Sequence, residues 1–155
     1  MTGRILAIHI APQGEAPMAS VPQVQALAGV GLEGDRYALL AGSWSANPET
    51  GRHVTLIEVE ALRGLASELK LEIDPALTRR NLLTEGVALN HLVGREFRVG
   101  KARLRGMRLC EPCKSLARTS GHSAILPGLV PRGGLRCDIL EGGEIRVGDG
   151  VQALD

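Results

Sequence analysis

Two cysteines, Cys110 and Cys113, are separated by two residues and are the side chains of this sequence best suited to chemistry. Pro112 between them fits the first position of a helix, where a missing backbone N–H costs nothing. Cys113 is therefore predicted to lie in a first helical turn, where free amides and the helix dipole stabilise a thiolate. Lys114, and Arg118 one turn later on the same face, add positive charge. Cys113 is thus the predicted nucleophile or metal ligand, whereas Cys110 is predicted to end a strand.

The cysteine pair lies in the most basic stretch of the chain. Residues 79–118 contain ten Lys or Arg against three Asp or Glu, and the rest of the chain contains eight against fourteen. Concentrated positive charge is expected beside a reactive thiolate or around an anionic ligand. The stretch therefore favours a functional use of the cysteine pair.

Two other uses of the cysteines stay open. A zinc site needs about four ligands. The candidates are Cys110, Cys113, Cys137 and either His91 or His122. A second closely spaced ligand pair is missing, which counts against zinc. A thioredoxin-like redox pair should follow the first strand of a βαβ unit, and this pair does not.

A second polar group, Arg79-Arg80-Asn81, precedes two leucines. If this segment is a strand, its side chains alternate between faces, so Arg79 and Asn81 share one face and Arg80 takes the other. A guanidinium and a carboxamide together can hold a phosphate or the edge of a heteroaromatic ring. The alternative is an exposed strand edge with salt-bridged arginines.

The segment from Gly31 to Tyr37 is rich in glycine but has neither the P-loop nor the Rossmann spacing. It does not by itself predict phosphate binding. We expect Asp35 in this segment to organise the loop or to pair with an arginine. His9 and His53 are isolated in the sequence and are expected to be structural.

One helix is predicted from a capping-box spacing at Thr55-Leu56-Ile57-Glu58, in which the Thr and Glu side chains satisfy free backbone amides. The apolar residues that then share one helical face are Ile57, Ala61, Leu62, Leu65 and Leu69. We expect a structural helix that packs against a sheet.

The remaining elements are predicted to be strands separated by glycine and proline turns. A first strand covers residues 5–10, and two strands joined at Gly100 cover residues 96–109. The alternation of apolar residues changes phase after Gly106, which predicts a β-bulge there. Residues 137–140 and 144–147 are predicted to form a hairpin with a glycine turn.

Helices that alternate with parallel strands are not predicted. The expected fold is therefore mainly β, a mostly antiparallel barrel or rolled sheet with a few helices. A chain of 155 residues fits one domain, over residues 1–155, that can bury a core without disulfides.

Composition excludes several classes of protein. Aromatic residues make up 2% of the chain, which disfavours stacking of single-stranded nucleic acid, and the net charge of +1 gives no global attraction to polyanions. Three cysteines do not form a disulfide framework and suit a reducing compartment. The apolar run at residues 5–10 is too short for a signal sequence or a membrane span. We expect a cytoplasmic protein that binds neither nucleic acid nor membrane.

Taken in order, these pieces resemble the MOSC domain, the family named for the C-terminal domain of molybdenum cofactor sulfurase. The resemblance covers residues 29–151. It is carried by the segments GLEGDRY (31–37), RHVTLIEVEAL (52–62), RRNLLTEGVALNHLVGREFRVG (79–100), CEPC (110–113) and GGEIRVGDGV (142–151). The family fold is a β-barrel with a few helices, which agrees with the pattern of predicted elements.

The resemblance implies a molybdenum-pterin cofactor with one cysteine as the protein ligand to the metal, and Cys113 matches that ligand. It also implies that Arg79 and Asn81 hold the pterin. The further candidates for binding the cofactor are Lys114, Arg118, Asp35 and Arg36. Some family members reduce N-hydroxylated compounds, and others are thought to carry sulfur for metallo-sulfur centres.

The leading hypothesis is a molybdenum-dependent reductase of N-hydroxylated small molecules. Three cysteines cannot bind a four-cysteine iron–sulfur cluster, and no haem, flavin or nucleotide-binding pattern is present. A separate electron-donor protein is therefore expected as a partner. The alternatives are a sulfur carrier that receives a persulfide on Cys113 from a cysteine desulfurase, and a zinc-stabilised binding module.

Overall fold

The computed structural model describes residues 2–14, 16–40, 51–70, 72–110 and 128–154. Within these ranges the strands are β1 (Thr2–Ile10), β2 (Ala19–Val21), β3 (Gln23–Leu27), β4 (Gly31–Leu32), β5 (Val54–Glu58), β6 (Leu82–Glu85), β7 (Glu96–Val99), β8 (Ala102–Leu109), β9 (Leu135–Glu141), β10 (Gly143–Arg146) and β11 (Gly150–Ala153). The helix α1 spans Val59–Leu69, and 3₁₀ helices span Pro75–Thr78 and Leu89–Leu92. None of these helices has the length and apolar character needed to cross a bilayer.

Seven strands close into a barrel in the order β11-β7-β8-β9-β5-β6-β1, and β1 completes the ring by pairing with β11. β2 adds to the edge of β1, and a small second sheet has the order β10-β3-β4. Closure leaves no free sheet edge in the barrel itself. The expectation of a mainly β, barrel-type fold with few helices is confirmed.

One pair of barrel strands is parallel, β5 with β6, and the other barrel pairs are antiparallel. A parallel pair needs a crossover connection, which α1 provides between β5 and β6. The sequence did not predict this single crossover, but the expectation of a mostly antiparallel barrel is confirmed.

The barrel interior is filled with aliphatic side chains, as the low aromatic content requires, and Phe97 is its one aromatic among the described core residues. β8 shows the alternation that produces this core. Ala102 and Leu104 are fully buried, whereas Arg103 and Arg105 lie on the outer face. A smaller cluster lies beneath α1, where Leu65 is fully buried. Burial of each such leucine contributes about 1.5–3 kcal/mol.

The predicted bulge in β8 is confirmed. Gly106 lies opposite Cys137 and Arg108 lies opposite the next residue of β9, Arg136, so β8 has one extra residue at this point. Glycine is required here because a Cβ at position 106 would overlap the backbone carbonyl of Leu92.

The predicted start of the helix is wrong. Residues Thr55 and Glu58 belong to the buried strand β5, and α1 begins only at Val59. Glu58 takes the N-cap position in an extended conformation, but its side chain makes no capping hydrogen bond. Its carboxylate instead accepts a hydrogen bond from the backbone N–H of Leu89. A strand that is buried along its length has no period-2 alternation, which let the apolar run pass for the first turn of a helix.

The predicted C-terminal hairpin is also wrong, although both of its strands exist. β9 pairs with β5 and β8, whereas β10 leaves the barrel and pairs with β3. A hydrogen bond from the backbone N–H of Lys101 to the carbonyl of Glu144 helps to hold β10 in this position outside the barrel. Neighbouring strands in sequence thus belong to different sheets, which the glycine turn alone does not reveal.

Candidate functional site

The predicted site residues Arg79 and Asn81 lie in a turn, Thr78–Asn81, that connects the first 3₁₀ helix to β6. Asp74 caps this helix through a hydrogen bond from the backbone N–H of Ala76. Arg79 ends it in the left-handed conformation, with φ at 61°. The prediction that Arg79 and Asn81 share a strand face is therefore wrong, because the strand begins only at Leu82.

Asn81 is buried, and its carboxamide is used inside the protein. Its Oδ1 accepts hydrogen bonds from the backbone N–H of Thr55 at 3.1 Å and from the Thr55 hydroxyl at 3.2 Å. Its Nδ2 donates to the carbonyl of His9 at 3.0 Å. Asn81 therefore holds β5 against the end of β1. Its effect on a neighbouring site is indirect, because it sets the positions of these two strands.

Arg79 fastens a different segment, the loop after β1. Its Nη1 donates to the carbonyl of Ala16 and its Nη2 to the carbonyl of Gly14, both at 2.6 Å. One planar guanidinium thus holds two carbonyls of the same loop, as its fork of donors permits.

Asp35 and Arg36 form a buried ion pair beside this turn. The Asp35 carboxylate is fully buried, and its Oδ1 accepts from Nη1 of Arg36 at 2.9 Å and from the backbone N–H of Ala11 at 3.1 Å. Arg36 also donates from Nη2 to the carbonyl of Arg79 at 3.0 Å and lies 4.9 Å from the ring centre of Tyr37. The expectation that Asp35 organises its loop and pairs with an arginine is confirmed.

The other carboxylate oxygen of Asp35, Oδ2, is buried and has no hydrogen-bond partner among the residues that the structure describes. A buried acceptor without a donor costs about 1–3 kcal/mol. This unpaired acceptor lies in a loop that contacts the Thr78–Asn81 turn through Arg36.

Arg80 is a residue that the sequence analysis missed. Its side chain is 7% exposed, and its donors reach three carbonyls, those of Gly133 at 2.8 Å, Cys110 at 3.2 Å and Thr78 at 3.2 Å. The backbone N–H of Cys110 also donates to the carbonyl of Gly134 at 2.7 Å. Arg80 therefore ties Cys110, the last described residue before the segment that contains Cys113, to Gly133, which lies after that segment.

The sequence contains a weak signal for this role, since Arg80 lies beside two other polar residues in a turn before a buried strand. If residues 79–81 formed a strand, Arg80 would lie on the face opposite Arg79, and for this reason it was not predicted as a site residue. The turn instead lets both neighbouring arginines point into the protein.

The two described cysteines, Cys110 and Cys137, are buried and form no disulfide. Burial raises the pKa of Cys137 well above its ordinary value, and the charge of Asp138 and the nearby Cys110 raise it further. Within the described ranges no three His, Cys, Asp or Glu side chains are grouped as metal ligands. Cys113, Lys114, Arg118 and His122 lie outside the described residues.

The predicted structural roles of the isolated histidines agree with their surroundings. His53 accepts a hydrogen bond at Nδ1 from the backbone N–H of Ile139 at 2.9 Å. Burial of His9 lowers the pKa of its imidazole, and the charge of Asp74 opposes this only in part. His9 is therefore favoured as the neutral form inside the fold.

Comparison with known proteins completes the description of the fold. The chain is similar to the YuaD protein from Bacillus subtilis, with 18% identity, a TM-score of 0.83, and coverage of 99% of this chain and 96% of that one. It is also similar to YiiM from Geobacillus stearothermophilus, at 13% identity, a TM-score of 0.76, and coverage of 99% and 75%. YiiM from Escherichia coli is also similar, at 19% identity and a TM-score of 0.70, with coverage of 98% of this chain and 70% of that one.

No curated protein sequence matches the chain. A family model for the MOSC domain, however, matches residues 34–152. This range includes the buried Asp35–Arg36 pair, the Thr78–Asn81 turn and most of the barrel strands. The chain belongs to the MOSC domain family.

Proposed function

We propose that this protein binds a molybdenum-pterin cofactor, with Cys113 as the thiolate ligand, and reduces N-hydroxylated small molecules. The observation that carries the proposal is that the Thr78–Asn81 turn, where Arg36, Arg79 and Arg80 meet, is bonded through Arg80 to Cys110, the residue that begins the CxxC segment. Arg36 bonds to the carbonyl of Arg79, and Arg80 bonds to the carbonyl of Cys110. Cys113 follows Cys110 by three residues in the sequence, and three residues of extended chain cover at most about 11 Å.

The described residues fit such a cofactor in charge and in hydrogen bonding. Arg36, Arg79 and Arg80 place positive charge at the turn, which favours an anionic phosphate and a thiolate. The unpartnered Oδ2 of Asp35 would accept a hydrogen bond from a pterin N–H group. Asn81 would support the site by holding β1 and β5 in place, since its own carboxamide is occupied.

The protein's own residues would bind the cofactor, orient it and balance its negative charge. Cys113 would provide one soft thiolate, the ligand type that suits a metal with sulfur coordination. Lys114 and Arg118 are proposed to add cations for the phosphate. Arg80 would keep the segment with Cys113 at a fixed distance from Arg79 by holding the carbonyls of Cys110 and Gly133.

The bound cofactor supplies two-electron oxygen-atom transfer. Reduction of an N-hydroxylated amine consumes two electrons and two protons and gives the amine and water. The two electrons would come from a separate electron-donor protein, because the three cysteines of the chain cannot bind a four-cysteine iron–sulfur cluster.

The test is molybdenum and pterin analysis of protein made in a host that synthesises the cofactor. The wild type is expected to contain both, Cys113→Ser to contain little of either, and the matched control Cys110→Ser to match the wild type. Reduction of an N-hydroxylated purine with an artificial electron donor should follow the same order. Equal molybdenum in wild type and Cys113→Ser would show the ligand assignment to be wrong.

The same preparations separate the alternatives. A persulfide on Cys113 after incubation with a cysteine desulfurase, with no bound molybdenum, would indicate a sulfur carrier. Stoichiometric zinc, with loss of folding in chelator, would indicate a zinc-stabilised module. Either result would replace the reductase.

A further inference from the structure

The arginines of the basic stretch divide into two groups by their partners. Between residues 79 and 110 the arginines are Arg79, Arg80, Arg95, Arg98, Arg103, Arg105 and Arg108. Those at 79 and 80 bond to carbonyls, those at 98 and 103 pair with carboxylates, and Arg108 is also engaged. Within the described part of the chain, the guanidinium groups of Arg95 and Arg105 have no hydrogen bond or ion pair.

Both of these arginines line the same cavity, on the outer face of the barrel at β7 and β8. The cavity has a volume of about 470 Å³, which is within the usual range for small-molecule sites. Its lining residues, called here the arginine cavity, are Gly94, Arg95, Glu96, Arg103, Arg105 and Leu154. Free guanidiniums therefore coincide with a space that could hold a ligand.

The backbone brings the two free arginines together. Arg105 lies directly opposite Glu96 in the β7–β8 ladder. The carbonyl of Arg95 accepts a hydrogen bond from the backbone N–H of Gly106 at 3.0 Å. Gly94, with φ at 78°, turns the chain into this position, and nothing lies within 4 Å of where its Cβ would be. The backbone positions from which both side chains extend are thus set by hydrogen bonds to the sheet.

The third arginine of the cavity is held rigidly. Arg103 pairs through Nη1 with Glu96 and through Nη2 with Glu141 at 3.0 Å. Three guanidiniums and one carboxylate line the cavity, so its walls have a charge of about +2 even with the Glu96 pair intact.

We propose that the arginine cavity binds a small molecule through a phosphate group, with Arg95 and Arg105 as its ligands. Two unpaired guanidiniums on neighbouring backbones match the several oxygens of a phosphate, each through a charged, forked hydrogen bond. The site lies apart from the proposed cofactor site in its residues, since none of Arg36, Arg79 or Arg80 lines it. It is a separate binding function of the same domain.

The test is a titration of the purified protein followed by amide NMR shifts and calorimetry. The probes are inorganic phosphate, glycerol 3-phosphate and, as a dianion of different shape, succinate, each at low and at physiological salt. We expect saturable binding of glycerol 3-phosphate, weaker binding of phosphate, and shifts that centre on residues 94–96 and 103–105. Binding of succinate as strong as that of glycerol 3-phosphate would overturn the phosphate assignment.

Variants separate a built site from general positive charge. Arg95→Gln and Arg105→Gln are each expected to weaken binding by about tenfold or more, the effect of losing a charge-assisted hydrogen bond. The matched control Arg98→Gln removes the same charge from the same face but outside the cavity, and should change binding less than about twofold. Equal losses in all three variants, or no saturable binding by any probe, would overturn the proposal. Because Cys113→Ser should bind the probes as the wild type does, the result is independent of the proposed cofactor chemistry.

Discussion

The Thr78–Asn81 turn and the outer face of β7–β8 use the same side chain in opposite ways. In the turn, Arg80 is 7% exposed, and its guanidinium donates to the main-chain carbonyls of Gly133, Cys110 and Thr78. On the outer face, Arg103 is 30% exposed and meets carboxylates, while Arg95 and Arg105 meet none. Both regions belong to one basic stretch of sequence, yet only the first can determine how the chain is folded.

The difference follows from solvation. A buried guanidinium has lost its water and must bond to the protein through several donors, so it fixes the segments that supply the acceptors. An exposed guanidinium keeps its water, and its ion pairs are worth about 0–1 kcal/mol. Local net charge in a sequence therefore does not distinguish a structural arginine from one that is free to bind a ligand.

The largest expected effect is that of Arg80→Met. This change removes the donors from the carbonyls of Gly133, Cys110 and Thr78, and we expect a loss of about 3–4 kcal/mol in the free energy of unfolding. Because the Cys110 thiol is buried only while its backbone is held, its alkylation by iodoacetamide should become at least about tenfold faster. Denaturant unfolding and peptide mass spectrometry measure the two effects.

Arg79→Met is the matched control for that experiment. It removes the same charge from the adjacent residue but releases the carbonyls of Gly14 and Ala16 instead. Amide exchange should rise near residues 14–16, and the alkylation rate of Cys110 should stay at the wild-type value. If alkylation of Cys110 became equally faster in both variants, Arg80 would not be the residue that specifically holds Cys110. The whole turn would then stabilise this position as one unit.

A smaller loss is expected for Asn81→Ala, about 2–3 kcal/mol, because the buried N–H and hydroxyl of Thr55 and the carbonyl of His9 would lose these partners. Asn90→Ala removes a carboxamide whose single hydrogen bond, to the carbonyl of Pro131, is exposed. That control should cost less than about 0.5 kcal/mol. If the two variants unfold at the same denaturant concentration, burial is not what separates the two kinds of polar residue.

The sequence was sufficient for the strands with clear alternation, such as those that meet at Gly100, and for the bulge at Gly106. In these segments a single physical signal, the period of apolar residues, decides the local structure. It was insufficient at Thr55–Glu58, where a strand buried along its length has the same composition as a helix start. It was also insufficient for β10, because partner choice between two sheets depends on the barrel as a whole.

The candidate site was predictable in part for the same reason. Asp35 was expected to organise its loop, and its pairing with Arg36 needs only neighbouring residues. The role of Arg80 could not be predicted, because its acceptors in Cys110 and Gly133 lie 30 and 53 residues away along the chain. Their identity follows from the closed barrel, which brings β6, β8 and β9 to one end, and from no local pattern.

A pH effect sharpens the comparison further. Burial lowers the folded-state pKa of His9 below its ordinary value, so the unfolded chain binds a proton more readily. Stability from this residue is therefore fully present above the unfolded pKa of about 6.5 and is lost as the pH falls below it. Unfolding between pH 8 and pH 5 should show this decline, and His9→Gln should flatten it. An unchanged slope in His9→Gln would assign the decline to other groups.

The smallest effect is expected on the outer face itself. Arg103→Gln breaks the pairs with Glu96 and Glu141, whose carboxylates are 36% and 52% exposed, and should cost about 0.5 kcal/mol or less, with a further decrease in high salt. Both substitutions remove one positive charge. A difference between their losses in the free energy of unfolding therefore reports the burial of the guanidinium rather than its charge. A loss for Arg103→Gln near that of Arg80→Met, unaffected by salt, would contradict the division between structural and free arginines. In that case Arg103 would be part of the scaffold despite its exposure, and only Arg95 and Arg105 would supply charge for a ligand in the arginine cavity.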